Sequence, residues 1–199
     1  MQDILVVVDM QNDFIDGELG SPDAQWIVSF VEDKIVNFEG RVFFTRDTHD
    51  ENYADTLEGK WYPEHCIRDT YGQEVHSELL FLDDAVEIFA VDKNTFGSLE
   101  LCELLKRVDA DDPIRSITVV GLCTDICVIA NALLLRTYFP NVEMIVDAQC
   151  CAGSTPEKHY EALHVMESCC IKVINDEQRD ETERKKNSTD SVWKYDDFR

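Results

Sequence analysis

Strand-like and helix-like stretches alternate along this chain, and that alternation restricts its fold more than any other feature. Six short apolar runs read as buried strands: residues 4–8, 41–45, 85–91, 116–121, 143–146 and 170–174. Helical patterns fall between most of them, at 23–38, 98–108, 125–139 and 156–166. Strands separated by helices pair in parallel, because each crossover returns the chain to the same edge. The expected fold class is α/β, a doubly wound three-layer fold around a six-stranded parallel sheet.

Residues 50–80 break the alternation. The stretch is long and polar and carries Trp61, Tyr62 and Pro63. A loop that long inside a compact domain is usually functional or disordered. From residue 176 onward the sequence "DEQRDETERKKNSTDSVWKYDDFR" is highly charged and has no apolar period. The chain therefore divides into a domain at 1–175 and a tail at 176–199, which is either disordered or docks through Trp193, Tyr195 and Phe198. A formal net charge of −23 opposes binding to nucleic acid or anionic membranes. No apolar run reaches the ~20 residues of a membrane span. The start, "MQDILVVVDMQNDF", has acids on both sides of its apolar run and no basic n-region, so a cytoplasmic location is expected. In a reducing compartment the eight cysteines are expected as free thiols, and their spacing does not suit a zinc knuckle.

Open parallel sheets bind ligands beyond the carboxyl ends of their strands. Asp9 follows the first run, Asp47 and His49 the second, Asp92 and Lys93 the third, and Thr124, Asp125 and Cys127 the fourth. Each alone has an ordinary explanation: an acid after a strand often caps the next helix, and a lone lysine is usually solvated. Converging on one edge, they favour a catalytic site. If Thr124 or Asp125 caps the following helix, Cys127 lies in its first turn, where the dipole and free amides favour a thiolate. A neighbouring lysine adds positive charge, and a nearby carboxylate can take the thiol proton and return it to a leaving amine. These parts suit attack on an amide carbonyl through a thioester. The competing reading of Cys127 is a buried structural thiol, the role expected of Cys102, Cys150, Cys151, Cys169 and Cys170. His76, His159 and His164 match no motif and read as ordinary helix or surface histidines.

Five segments in order, "VVVDMQNDF", "TRDTH", "YPEHC", "DKNTFGS" and "VGLCTDICV", resemble the isochorismatase-like cysteine hydrolases, in particular their nicotinamidase (pyrazinamidase) branch. The resemblance spans about residues 4–174. It implies a triad in which Asp9 is base and then acid, Cys127 is the nucleophile, and Lys93 holds both in their ionised forms. It implies a cis peptide at Leu122-Cys123 that aims the Cys123 amide, with that of Cys127, at an oxyanion. Many relatives have alanine where this chain has Cys123, so a second thiol lies close to the first.

The resemblance also implies a divalent metal, zinc foremost, with iron or manganese as alternatives, ligated by the ring nitrogen of a pyridine substrate. Asp47 and His49 match the start of the ligand set and His65 its end. Glu58 takes the place of a missing middle histidine, with Glu51, Asp55 and Glu64 as rival carboxylates. Such a set leaves open positions for substrate and water. The pocket is expected to be small and aromatic-lined by Phe14, Leu19, Tyr62 and Phe96, with Tyr62 preferred over Trp61. The implied reaction is hydrolysis of nicotinamide to nicotinate and ammonia, a step of pyridine nucleotide salvage, by a homo-oligomer. The rivals are another amidase or ureidohydrolase of the family and, from a different class, a non-catalytic metal-binding or thiol-redox protein. Neither of the latter tasks needs both Asp9 and Lys93.

Overall fold

The computed structural model describes residues 1–79 and 88–176. Six strands form one parallel sheet: β1 (Gln2–Val8), β2 (Arg41–Asp47), β3 (Ile88–Lys93), β4 (Ile114–Leu122), β5 (Glu143–Ala152) and β6 (Lys172–Ile174), in the order β3-β2-β1-β4-β5-β6. The helices are α1 (Asn12–Ile15), α2 (Pro22–Val36), α3 (Leu99–Asp111), α4 (Ile129–Tyr138) and α5 (Pro156–Ser168). Helix α2 covers one face, where Lys34 reaches Asp147 of β5 at 2.7 Å; α3, α4 and α5 lie side by side on the other. This is the doubly wound three-layer α/β fold expected. The first part of the third expected strand, residues 85–87, and Trp193, Tyr195 and Phe198 of the tail lie outside the described residues.

Local chemistry explains the elements. Ile4 to Val8 are wholly buried, as a central strand covered on both faces must be. Three helices start at hydroxyl caps: Ser21 accepts from the Ala24 amide (3.1 Å), Ser98 from that of Leu101 (3.0 Å) and Thr155 from that of Lys158 (3.3 Å). Pro22 and Pro156 occupy first-turn positions, where the missing amide hydrogen is not needed. Strand β5 runs six residues beyond the apolar run at 143–146, because the buried Asp147 carboxylate is paired with Lys34 and also accepts from Asn175 (2.9 Å). Residues 50–79 are ordered as single 3-10 turns at Tyr53–Asp55, Glu58–Lys60, Tyr71–Gln73 and Ser77–Leu79.

All eight cysteines are free thiols. Cys169 and Cys170 depart from their expected burial. They lie exposed in the turn that ends α5, where Cys170 has a left-handed φ of 61°, and face solvent rather than the core.

The junction of β1 and β4 fixes one glycine. Gly121 has φ of 116°, and a Cβ there would run into the carbonyl oxygen of Val8. Gly121→Ala is expected to cost at least about 2 kcal/mol, because the strained backbone and the close approach add. Urea unfolding monitored by circular dichroism checks this; a loss below about 0.5 kcal/mol would contradict it.

Candidate active site

The carboxyl ends of β1, β2, β3 and β4 bring the sequence-predicted residues together. Asp9 directly follows β1 with a left-handed φ of 49°, and its amide donates to the Thr45 carbonyl at 3.1 Å. Lys93 ends β3, in register with Asp47 on β2. Its ammonium lies 2.6 Å from Asp9 Oδ2, 3.2 Å from Asp47 Oδ1 and 3.6 Å from Cys127 Sγ. Thr45 donates to Asp9 Oδ1 at 2.6 Å. Asp9, Lys93 and Cys127 are all buried.

Burial sets the proton affinities. Loss of water, together with the Asp47 charge, raises Asp9 above the ordinary carboxylate range despite Lys93. For Lys93 burial acts the other way, but the surrounding Asp9, Cys127 and Asp47 charges outweigh it and hold the ammonium protonated. Burial, reinforced by Asp9, pushes the Cys127 thiol well above its usual value, and Lys93 does not reverse this. Burial thus opposes the thiolate that the helix terminus favours, and it raises the basicity of the neighbouring carboxylate. The turn itself also differs from the expected helix start. Thr124–Val128 is a π-helical turn leading into α4: the Cys123 carbonyl accepts from the Val128 amide five residues on, the wide π spacing, and also from the Ile126 amide three residues on, both at 3.0 Å. The Leu122-Cys123 peptide is cis. The Cys123 amide donates to no backbone carbonyl among the described residues. Burial pushes the Cys123 thiol up to about 12.

Beside the lysine lies a second cluster. One ligand atom from each of Asp47, His49, Glu58 and His65 falls within 4.8 Å of the others. Asp47 Oδ2 is 3.0 Å from His49 Nε2 and 3.3 Å from His65 Nε2, and Glu58 Oε1 is 3.8 and 3.9 Å from the same nitrogens. His65 Nδ1 is 2.8 Å from the Pro63 carbonyl oxygen. A carbonyl only accepts, so Nδ1 donates to it, and Nε2 is the nitrogen turned toward the cluster. Burial opposes charge on Asp47, but hydrogen bonds with His49 and His65 and the Lys93 charge outweigh it and hold this carboxyl below the usual range. Burial and the Asp47 charge raise Glu58. Two imidazoles and two carboxylates in a buried cup fit a divalent cation. The rival acids Glu51, Asp55 and Glu64 are exposed.

Both clusters meet one narrow cleft. Phe14, Leu19, Tyr62 and Phe96 line it with Cys123 and Ile126, while Asp47, Glu58, His65 and Cys127 reach it from below. Trp61, 80% exposed, points away.

Sequence reasoning missed the supports. Gln11 is fully buried and clamps the Asp47 backbone: its Oε1 accepts from the Asp47 amide (2.6 Å) and its Nε2 donates to the Asp47 carbonyl (2.8 Å). Asp13 Oδ2 accepts from the Cys66 amide at 2.7 Å, tying the His65 segment to the first loop. Polar residues directly after a wholly buried strand were the only signal for either. His159, expected to be ordinary, is buried on α5, with Nδ1 2.8 Å from the Thr124 hydroxyl at the start of the turn that carries Cys127.

These features define a class before any particular relative. The isochorismatase domain model matches residues 3–178, and the chain belongs to that family of hydrolases. Among its relatives, the uncharacterized isochorismatase family protein PncA of Bacillus subtilis (strain 168) is 28% identical over 174 residues, covering 82% of this chain and 93% of that one. The nicotinamidase of Saccharomyces cerevisiae is 24% identical, covering 65% of this chain and 79% of that one. The crystal structure of the pyrazinamidase of Pyrococcus horikoshii in complex with zinc superposes with a TM-score of 0.73 at 28% identity, covering 87% of this chain and 99% of that one. Among the described residues no helix is long and apolar enough to cross a membrane.

Proposed function

We propose that this chain is a metal-dependent nicotinamidase that hydrolyses nicotinamide to nicotinate and ammonia through a thioester on Cys127. One observation carries the reading: the Cys127 thiol, backed by Asp9 and Lys93, lines the same narrow aromatic cleft as Asp47, Glu58 and His65 of the four-ligand cation cup. The aromatic side chains on the cleft walls suit a single planar ring.

Phe14, Tyr62 and Phe96 wall the ring, and Leu19 closes the rim. Asp47, His49, Glu58 and His65 would hold a divalent ion, zinc, iron or manganese, and such an ion would supply Lewis acidity toward the ring nitrogen. Asp9 takes the Cys127 proton as sulfur adds to the amide carbon, and the amides of Cys123 and Cys127 face the resulting oxyanion. Asp9 then gives that proton to the nitrogen, the carbon–nitrogen bond breaks and ammonia leaves. A water deprotonated by Asp9 attacks the thioester carbon; the carbon–sulfur bond breaks, and the proton returns to Cys127. Lys93 stays protonated throughout and offsets the charge that passes between Asp9 and sulfur.

In this reading residues 1–175 form the hydrolase domain and 176–199 a tail outside the catalytic unit. The enzyme is cytoplasmic, homo-oligomeric and part of pyridine nucleotide salvage, and it takes a small amide as its only substrate partner. The test is ammonia release from nicotinamide before and after chelation and after adding back zinc, iron or manganese. Activity is expected to fall at least about 100-fold on chelation and to return with metal. Bound metal without turnover of nicotinamide would favour a different ring-nitrogen amide. Turnover of other amides or ureido compounds that ignores chelation would favour the metal-free amidase or ureidohydrolase reading.

A further inference from the structure

Tyr53 is not used by the mechanism, yet it sits against the cation cup. It is 1% exposed, and its ring centroid lies 4.4 Å from that of His49 and 5.1 Å from that of His65. Its backbone starts the turns that deliver Glu58: the Tyr53 carbonyl accepts from the Thr56 amide (2.9 Å) and from the Thr56 hydroxyl (2.7 Å), which in turn accepts from the Gly59 amide (3.0 Å).

The hydroxyl is the anomaly. It is buried without a hydrogen-bond partner among the described residues. Packing alone would be served by phenylalanine, and an orphaned buried donor is unfavourable. The nearby Glu58 carboxylate has the complementary deficit. It is 18% exposed and stands back from both imidazoles at 3.8 and 3.9 Å, with no hydrogen bond to it among the described residues. An unused donor and an unused acceptor therefore flank the same pair of histidines, on one short segment.

We propose that the Tyr53 hydroxyl is a positioning donor for the loaded cation site, giving its hydrogen bond to the Glu58 carboxylate once that group closes on the ion. The inference rests on the metal reading above. Outer hydrogen bonds of this kind orient a ligand and raise its affinity for the ion. The donor waits unpaired in the apo chain because its acceptor is drawn into place only by the ion.

The experiment is zinc affinity by competition with a chromophoric chelator, for the full chain, Tyr53→Phe, Glu58→Ala and the double variant, with the melting temperature of each chelated protein. Tyr53→Phe is expected to weaken zinc binding about 10- to 100-fold. Its chelated form should melt at or above the parent, because the ring remains and the orphan hydroxyl is gone. In the Glu58→Ala background the same change should weaken binding by less than about 3-fold. Unchanged affinity in Tyr53→Phe, an equal loss in both backgrounds, or a chelated variant that melts well below the parent would each overturn the assignment. A parent chain with no zinc affinity would sink the metal reading itself and this inference with it. That result differs from the others, all of which leave parent binding intact.

Discussion

Cys127→Ala is expected to lower amide hydrolysis by about four orders of magnitude or more while leaving the fold in place. The Cys127 thiol lies 3.6 Å from the Lys93 ammonium, and alanine supplies no group to form the acyl intermediate. Cys127 is small and buried, so its truncation is expected to cost only about 1 kcal/mol of stability. Ammonia release and a thermal melt on one preparation separate the two effects. Activity within tenfold of the parent would move the nucleophile elsewhere, and Cys123, the other thiol on the cleft, would be the first alternative.

The second large effect is on stability. Lys93→Met removes the cation that neutralises two buried carboxylates, and in chelated protein nothing replaces it. Breaking a buried ion pair by deleting one partner costs about 3–5 kcal/mol. The loss should depend on pH. Asp9 is already raised by burial and by Asp47, and without Lys93 its folded value rises further above the unfolded one. The folded state then binds the proton more tightly, so stability is gained as pH falls through the raised value and lost as pH rises through it. Urea unfolding of chelated Lys93→Met between pH 5 and pH 8 should show the greater deficit relative to the parent at pH 8. A deficit independent of pH would mean that Asp9 does not titrate in that window. Hydrolysis should be lost in the same variant.

Much of this was legible because the relevant residues sit where strands end. The run at 4–8 announces a central strand, and the first polar group after it, Asp9, needs only the rule that parallel sheets work at their carboxyl edge. Asp47, His49 and Lys93 follow the same way. Glu58 was harder, since its segment has neither period-two nor helical alternation. Only the burial pattern, with Glu51, Asp55 and Glu64 turned to solvent, separates it from its rivals. The supports were illegible for a different reason. Gln11 acts on the backbone of Asp47, 36 positions away, and nothing local marks that contact. The extension of β5 was hidden because Asp147 interrupts its apolar run, and the residue that makes this burial tolerable, Lys34, belongs to a helix from another part of the chain.

The strand order has a consequence for how the reactive centre comes into being. Asp9, Lys93 and the candidate cation cup all belong to the first 93 residues and to the β3-β2-β1 side of the sheet, whereas Cys123 and Cys127 arrive with β4. The sequence separation of 118 between Asp9 and Cys127 must be closed before either group meets the other. During synthesis the acid–base half emerges first and has nothing to act on. The sulfur emerges afterwards, away from its partner carboxylate. Their chemistry switches on in the single event that seats β4 beside β1, so assembly of the central seam also acts as the licence for reactivity. A chain stalled before β4 carries only two of its eight thiols, Cys66 and Cys102, and neither lines the cleft.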